Sequence, residues 1–434
     1  MTDGAWRTGP AAILRRAVEV EDGEVKALLW SFAYFFFLLS SYYVLRPLRD
    51  EMGIQGGVRN LPWLFTGTFA AMLAAVPLFG ALVARFPRRR IVPAAYRFFT
   101  LSIAVFYGLF MVVDDDAWVA RAFFIWVSVF NLFVVSVFWS LMADLHTSDQ
   151  GKRLFGFIAA GGSVGALAGP GVTAVLAVPL GPVNLMLVSA CLLEAALFCA
   201  RRLIAGPEAT TTAKAAGESA AIGGSIVGGF IETLRSPYLI GICVYIFLYT
   251  ATSTFLYLLQ AGIVAGAIAD AAERTRLFAT IDLVVGALTL VIQVFGTGRL
   301  TVRFGVGVAL ALSPAVTMAG FALLAMWPTV GLLIAVQGMR RAANFAVSRP
   351  AREVLYTVVS RDWKYKAKNF IDTAVYRGGD ALSGWTFAGL AGLGLGLAGI
   401  AAVGLPLALL WLALAGALGR QQRRLAGDTG GDPV

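Results

Sequence analysis

Charged side chains crowd one short stretch, KYKAKNFIDTAVYRGGDALSGW (residues 364–385), in a chain that is 59% hydrophobic. Lysine and arginine are the usual partners of phosphate and carboxylate groups, lysine as a point charge and arginine through paired hydrogen bonds. The charged residues of the stretch are Lys364, Lys366, Lys368, Asp372, Arg377 and Asp380. These residue types indicate contact with an anion, or with water, rather than with lipid.

Further charges interrupt long apolar runs elsewhere in the chain. A charged side chain at the centre of a membrane helix costs about 2.5–3.5 kcal/mol, so eight of them facing lipid would cost roughly 20 kcal/mol or more. That cost exceeds the net stability of a typical domain, about 5–15 kcal/mol. We therefore expect most of these charges to pair with each other or to line a wet space. They are Arg97, Glu194, Asp282, Arg340, Arg341, Asp372, Arg377 and Asp380.

Helical spacing gathers many of these charges into polar stripes, because residues three or four positions apart share one face of a helix. The stripes consist of Asp282, Thr289 and Gln293, then Gln337, Arg341, Asn344 and Ser348, and finally Lys368, Asp372, Tyr376, Gly379 and Ser383. Arg377 and Asp380 lie on the face beside the third stripe and are expected to neutralise each other. The stripes predict a shared polar lining within a largely apolar protein.

The cations, taken as a set, favour binding of an anionic solute. The predicted solute-binding residues are Arg46, Arg49, Arg341, Lys366, Lys368 and Arg377. The acidic residues predicted to position these cations, or to couple protons, are Asp282, Asp372, Asp380 and Glu194. The arginines predicted to serve topology and gating in cytoplasmic loops are Arg85, Arg88, Arg89, Arg90 and Arg303.

A purely structural network is the alternative interpretation of the same charges. Glu194 would then pair with Arg201 or Arg202 at the end of its own helix. Arg97 would extend its charged end to the cytoplasmic surface, as long cationic side chains do near helix ends. On this interpretation the cations hold the protein together and contact no ligand.

Long apolar runs must position these residues. The chain has 434 residues and a mean hydropathy of +0.77, and runs of about twenty apolar residues, the length that crosses a bilayer, recur throughout. Lipid admits only helices or closed barrels, and runs this long exclude a barrel. The predicted fold class is therefore an all-α membrane protein with about twelve transmembrane helices. The predicted spans are 27–45, 61–84, 91–113, 117–143, 154–179, 182–203, 237–260, 277–297, 305–326, 328–348, 369–392 and 397–418.

The organisation of the chain predicts two six-helix repeats. GALVARF at 80–86 matches GRLTVRF at 298–304, an offset of 218 residues, and basic residues lead into paired glycines at 161–162 and again at 378–379. Parallel six-helix repeats are typical of major facilitator transporters. The segment GALVARFPRRRI also resembles the loop between helices two and three of these transporters. The predicted division is a cytoplasmic segment 1–26, a first half 27–204, a cytoplasmic linker 205–236, a second half 237–418 and a cytoplasmic tail 419–434.

Loop charges predict the orientation and exclude other classes of protein. Lysine and arginine concentrate in loops on the side of the N-terminus, so both termini are expected to be cytoplasmic in a bacterial inner membrane. Topology accounts for the net charge of +10, and no nucleic-acid partner is expected. A single histidine, His146, and three scattered cysteines predict no metal site. The sequence has no phosphate-binding loop or nucleophile motif, which indicates neither an enzyme nor a cofactor.

A narrower resemblance comes from four segments of the chain. KAKNFID with YRGGDALSG, REVLYTVVSRDWK (352–364), GKRLFGFIAAGGSVGALAG (151–169) and VLRPLRD (44–50) resemble the non-mitochondrial ATP/ADP transporters of plastids and intracellular bacteria. The resemblance implies that Arg49, Lys366 and Lys368 serve nucleotide exchange. The functional glutamates of that family in helices four and seven have no counterpart here. The resemblance therefore implies a divergent bacterial relative.

The expected function is secondary transport of an anionic metabolite, a nucleotide or another phosphorylated compound, by alternating access, with antiport of anions as one mode. The expected partners are this small solute and the lipid bilayer, and the protein is expected to act as a monomer. Two alternatives stay open. One is proton-coupled transport of an unrelated solute, with Asp282 or Glu194 carrying the proton, and the other is a transport-inactive membrane scaffold or sensor.

Overall fold

The computed structural model describes residues 20–21, 23–113, 117–205, 233–234, 236–295, 297–359, 367–368 and 370–428. Regular structure within these residues is entirely helical, which confirms the predicted all-α class. The principal helices are α1 (Val25–Gln55), α2 (Leu61–Arg85), α3 (Arg88–Val112), α4 (Ala117–Leu145), α5 (Ser148–Leu180), α6 (Leu185–Ile204), α7 (Pro237–Ala267), α8 (Ala271–Phe295), α9 (Thr297–Met326), α10 (Val330–Ala343), α11 (Tyr376–Gly392) and α12 (Leu397–Asp428).

Nine of these helices, counted over the described ranges, are long and apolar enough to cross a membrane. The remaining three are α6, α10 and α11. Helix α6 carries Glu194, Arg201 and Arg202, whereas α10 and α11 are only 14 and 17 residues long. Each of the predicted spans overlaps one helix, and the charges concentrate in the helices that are least suited to lipid.

Helix α1 is longer than predicted, because it continues to Gln55 instead of ending near residue 45. The prediction placed the end of the span where charges begin, at Arg46. The structure keeps these charged residues in the helix, and Glu51 is completely buried. A charge at the end of an apolar run therefore did not mark the start of the loop here.

The chain divides into two compact units. The first comprises residues 1–49 and 74–221, and the second comprises residues 50–73 and 222–434. The turn between α1 and α2, with the adjoining helix ends, therefore groups with the C-terminal helices. The predicted linker 205–236 lies largely outside the described residues, and the predicted domain boundaries remain predictions.

Close helix packing in the first unit depends on glycine. A Cβ atom on Gly161 would lie 2.5 Å from the carbonyl oxygen of Phe32, and one on Gly169 would lie 2.8 Å from that of Ser40. Small residues let membrane helices approach backbone to backbone. The glycine face of α5 therefore packs directly on α1.

In the second unit, α9 and α12 pack closely at Gly307 and Gly419, where a Cβ atom on Gly419 would collide with the backbone of Gly307. Two apolar clusters are built around these helices, one on Trp411 and the other on Phe321. Burial of such large apolar side chains supplies most of the packing within a unit. This apolar framework positions α7, α8, α10 and α11, which hold buried polar residues.

Two π-helical turns adjoin the polar helices of the second unit. Asn344–Ser348 follows α10, and a short helix, Arg349–Leu355, continues from it. Ile371–Val375 precedes α11. Turns of this kind are rare and occur often at functional sites, because the widened turn redirects nearby side chains. Both turns lie next to charged residues of the predicted stripes.

The two copies of the sequence repeat have similar local structure. Helix α2 ends at Arg85, before Pro87. Helix α9 begins at Thr297 and is interrupted at Gly305, whose φ of 79° lies in the left-handed region. The predicted gap between spans eight and nine, 298–304, is therefore helical. Arg85 and Arg303 both lie in the last turn before a break in a helix.

Candidate functional site

One face of α7 is both polar and accessible. Between Leu248 and Ala261 every residue of this helix is buried except Tyr249, Ser253 and Tyr257, which are partly exposed. These three residues are four positions apart, so they lie on one face. A polar face on an otherwise buried apolar helix is suited to water rather than lipid. We call Tyr249, Ser253 and Tyr257 the α7 polar face.

Arg340 of α10 lies against the α7 polar face. Its side chain is only 5% exposed, and its Nη1 donates a hydrogen bond to Ser253 Oγ at 2.7 Å. Its Nη2 donates to Gln337 Oε1 at 3.0 Å, while its Nε is buried and has no acceptor among the described residues. Among all the residues that the structure describes, no carboxylate lies within ion-pair distance of Arg340. The guanidinium is therefore held by neutral groups alone.

Gln337 connects Arg340 to the next turn of α7. Its Nε2 donates to Gln260 Oε1 at 2.7 Å and approaches the carbonyl oxygen of Leu256 at 3.4 Å. The amide oxygen of Gln337 is thereby turned toward Arg340. This chain of hydrogen bonds fixes the position of the arginine without supplying a negative charge.

Arg341, the neighbour of Arg340, has a charged partner. Its Nη2 lies 2.6 Å from Asp282 Oδ1 of α8, and the side chains are 13% and 3% exposed. This contact joins the predicted stripes of α8 and α10, as the spacing of their residues indicated. The charge of Arg341, a predicted solute ligand, is thus matched by Asp282 in this structure.

Arg377 and Asp380 of α11 form the expected ion pair, with Arg377 Nη1 lying 3.5 Å from Asp380 Oδ2. Thr254 of α7 donates to Asp380 Oδ1 at 2.8 Å. In the π-helical turn that follows α10, Asn344 Nδ2 donates a hydrogen bond to the hydroxyl of Tyr249 at 3.1 Å. Helix α7 therefore makes polar contacts with α10, with the turn that follows α10, and with α11.

Two more ion pairs join the segment Arg349–Leu355 to the residues that precede α11. Lys368 Nζ lies 2.6 Å from Glu353 Oε2, and Arg352 Nη2 lies 3.7 Å from Asp372 Oδ1. Lys368 and Asp372 were predicted as a solute ligand and as a charge-pairing group, and each has an opposite charge nearby. Lys366, the other predicted lysine ligand, lies outside the described residues.

The remaining predicted ligands belong to the first unit. The guanidinium of Arg46 lies 5.6 Å from the centre of the Tyr43 ring, and that of Arg49 lies 4.8 Å from the centre of the Phe124 ring. Cation–π contacts of this kind stabilise a guanidinium through the negative face of the ring. Both of these contacts lie within the first unit.

Glu194 pairs with a different residue from the one predicted. Its Oε2 lies 3.3 Å from Arg97 Nη2, joining α6 to α3, so the predicted pairing with Arg201 or Arg202 is wrong. Helix neighbours were the only candidates that spacing along the chain could indicate. The side chains are 35% and 58% exposed, and the same contact gives Arg97 a partner within its own unit.

The predicted gating arginines lie at helix ends. Arg85, Arg89, Arg90 and Arg303 are exposed, and the guanidinium of Arg303 lies 5.6 Å from the centre of the Phe304 ring. The side chain of Arg88 lies outside the described part of the structure. Exposure at helix ends is compatible with the predicted topological role and gives no sign of a ligand.

A largely buried ion pair near the end of α1 was not predicted from the sequence. Arg274 of α8 donates from Nε and Nη2 to the two carboxylate oxygens of Glu51, at 2.7 and 2.6 Å. Its Nη1 donates to the carbonyl oxygens of Ile268 and Ala269. Next to it, Tyr257 of the α7 polar face donates to Asp50 Oδ1 at 3.0 Å. No local spacing could signal a contact across 223 residues.

Comparisons with known proteins identify the fold but no sequence family. No family model matches the chain, and no curated protein matches it. Solved structures resemble it over almost its whole length. The nucleoside transporter NupG is 13% identical, covers 92% of this chain and 98% of its own, and has a TM-score of 0.63.

Two further structures agree with this result. A mutant of the peptide transporter POT, solved in complex with alafosfalin, is 16% identical over 91% of this chain and 95% of its own, with a TM-score of 0.62. A bacterial homologue of the iron transporter ferroportin, in an inward-facing state, is 10% identical over 92% of this chain and 100% of its own, with a TM-score of 0.66. The chain is therefore an all-α membrane protein with the major facilitator fold.

Proposed function

We propose that the chain is a secondary transporter that moves an anionic metabolite, a nucleotide or another phosphorylated compound, across the bacterial inner membrane by alternating access. One observation carries the proposal. Arg340 is a buried cation of the second unit that has no carboxylate within ion-pair distance among the described residues. Four other cations of this unit each lie within ion-pair distance of a carboxylate: Arg341 with Asp282, Arg352 with Asp372, Lys368 with Glu353, and Arg377 with Asp380.

The structural neighbours support transport as the general activity. Their names assign them a nucleoside, a peptide and iron, so one fold serves solutes of very different chemistry. Substrate identity must therefore be argued from side chains rather than from the fold. The buried Arg340 without a carboxylate favours an anion, and the resemblance of residues 364–385 to nucleotide transporters favours a phosphorylated one.

The test is uptake by the purified full-length protein in liposomes. A melting screen in detergent, over nucleotides, sugar phosphates, dicarboxylates and inorganic phosphate, first selects the compound. A compound at about 100 times its Kd adds about 2.7 kcal/mol of stability. The selected compound, radiolabelled, is then offered to liposomes that are empty or preloaded with the same unlabelled compound.

Faster uptake into preloaded liposomes would support antiport, and equal uptake would support one-way transport of the anion. Protein-free liposomes provide the background rate. Uptake of every selected anion at that background rate would overturn the proposal. The orientation of the termini and the monomeric state belong to the same proposal and are tested by cysteine labelling and by light scattering.

Proton coupling is a second candidate, favoured by the buried Asp282–Arg341 pair. Protonation of the Asp282 carboxylate would leave Arg341 of α10 without a charged partner, so binding of a proton would change the net charge of this pair. Uptake that depends on a pH gradient and is lost in Asp282→Asn would support this mechanism. Glu194 is a weaker carrier, since its ion pair is partly exposed. Glu194→Gln serves as the matched comparison.

A further inference from the structure

We infer that Arg340 binds one oxyanion group of the solute, a phosphoryl or a carboxylate group. The inference rests on the proposed function and assigns the contact that the solute makes. Arg340 is more than nine-tenths buried, has no carboxylate within ion-pair distance among the described residues, and has a buried Nε without an acceptor there. From the sequence, its neighbour Arg341 was the predicted solute ligand instead.

A structural role alone does not explain an arginine in this environment. An unpaired buried charge is among the most costly groups in a protein, and buried arginines normally have a carboxylate. Arg341 and Arg274 follow that rule, with Asp282 and Glu51 respectively. Arg340 has only Ser253 and Gln337, both neutral, among the described residues. The negative charge that completes its environment therefore comes from outside the described protein.

The neutral partners prepare Arg340 for such a ligand. Gln337 is fixed by its own bond to Gln260, so its oxygen holds one edge of the guanidinium in place. An arginine held in this way loses little conformational freedom when a ligand arrives, which favours binding. Its unused N–H groups then present the planar fork that fits phosphate or carboxylate oxygens.

The α7 polar face provides the approach to Arg340. Ser253 is partly exposed on that face, and its hydroxyl oxygen accepts the bond from Arg340 Nη1. Because the Ser253 oxygen accepts this bond, the hydroxyl hydrogen of Ser253 remains available to donate to an oxyanion. A ligand on the polar face therefore contacts Ser253 first. It reaches Arg340 when it replaces Ser253 as the acceptor of the hydrogen bond from Arg340 Nη1.

The test compares anion binding by full-length variants in detergent. Inorganic phosphate, succinate and ATP are titrated against melting of wild type, Arg340→Met, Arg340→Gln and Arg340→Lys. We expect Met and Gln to raise the Kd by about 10- to 100-fold, the effect of losing hydrogen bonds to a charged group. Lys should lose less, because it keeps the charge without the fork. Arg276→Met, in an exposed pair with Glu273, is the matched control and should bind as wild type.

The probes distinguish the two oxyanions: stabilisation by phosphate and ATP assigns a phosphoryl group, and stabilisation by succinate assigns a carboxylate. Arg340→Gln can still bond to Gln337, so it remains informative if Arg340→Met does not fold. Equal Kd values for wild type and all three Arg340 variants would overturn the inference and leave the proposed transport intact. Anion binding that depends on Arg340, combined with no uptake in liposomes, would overturn the proposed transport and leave the inference about Arg340 intact. A wild type that no probe stabilises would overturn the inference.

Discussion

Arg274 and Arg340 are largely buried arginines of the same unit, and they differ in what surrounds them. Arg274 has both oxygens of the Glu51 carboxylate and two backbone carbonyls, so most of its N–H groups have a strong acceptor. Arg340 has a serine hydroxyl and a glutamine amide. The first environment is complete within the protein, and the second requires a negative charge from elsewhere.

A buried charge has two uses in a membrane protein, and these two arginines represent one each. A matched pair contributes to holding helices together, and removing one partner leaves the other uncompensated. An unmatched charge reduces stability in the absence of its ligand, and its presence is explained by binding. The variants that follow test this separation.

Glu51→Gln should produce the largest effect. It leaves Arg274 buried without its carboxylate, and breaking a buried pair costs about 3–5 kcal/mol. The measurement is the melting temperature and denaturant midpoint of the purified protein. Glu273→Gln, in the exposed pair with Arg276, should cost at most about 1 kcal/mol. If both variants have the same melting temperature, the Glu51–Arg274 pair contributes no more stability than the exposed pair.

Asp282→Asn should cost about 3 kcal/mol or slightly more, because Arg341 would lose its buried partner. The same change would leave two cations of α10 without carboxylates. We therefore expect anions to bind more tightly while the ligand-free protein melts earlier. Melting with and without inorganic phosphate measures both effects. A variant whose stability and phosphate affinity both match wild type would remove Asp282 from this network.

Arg340→Met should change ligand-free stability by only about 1 kcal/mol. The lost hydrogen bonds to Ser253 and Gln337 are worth about 0.5–1.5 kcal/mol each, and the removal of an unmatched buried charge offsets them. The denaturant midpoint without any anion is the measurement. A loss as large as that of Glu51→Gln would show that Arg340 is structural, which would erase the contrast with Arg274.

Glu24 should give the smallest effect, one that depends on pH. Burial tends to raise the pKa of Glu24, but bonds from the Glu21 backbone N–H, Gln150 and Arg153 outweigh it and leave the pKa below its usual 4.5. The stabilising contribution is thus complete above about pH 4.5 and disappears as the pH falls through the lowered pKa.

Melting of wild type and Glu24→Gln from about pH 7 to about pH 4 tests this prediction. The difference should be constant, at most about 1 kcal/mol, near neutral pH. It should shrink only at the acidic end. A difference that grows on acidification would mean that the sign of the pKa shift is wrong.

Features that depend on local spacing along the chain could be predicted from the sequence. Apolar runs predicted the helices, and i,i+3 spacing predicted the Arg377–Asp380 pair. The stripes of α8 and α10 indicated that Asp282 and Arg341 belong to one lining. Each of these conclusions follows from helical geometry alone.

Contacts between distant segments could not be predicted in this way. Glu51 finds its partner 223 positions along the chain, and Glu194 finds Arg97 on another helix. Arg340 and Arg341 are adjacent and chemically identical, so the sequence cannot say which of them has the carboxylate. Neighbours in the chain point about 100° apart around a helix, and only packing decides which one faces Asp282.

The π-helical turn Asn344–Ser348 has a consequence for comparing this chain with its relatives. Such a turn contains one more residue than an α-helical turn between the same helix ends. A relative that lacks it would be one residue shorter at this place, while its helix faces before and after the turn would stay the same. An alignment without the gap would shift one side of the helix by one residue, which is about 100° around the helix axis. The position of a single gap in an alignment therefore decides whether Arg340 or Arg341 is compared with the relative's arginine.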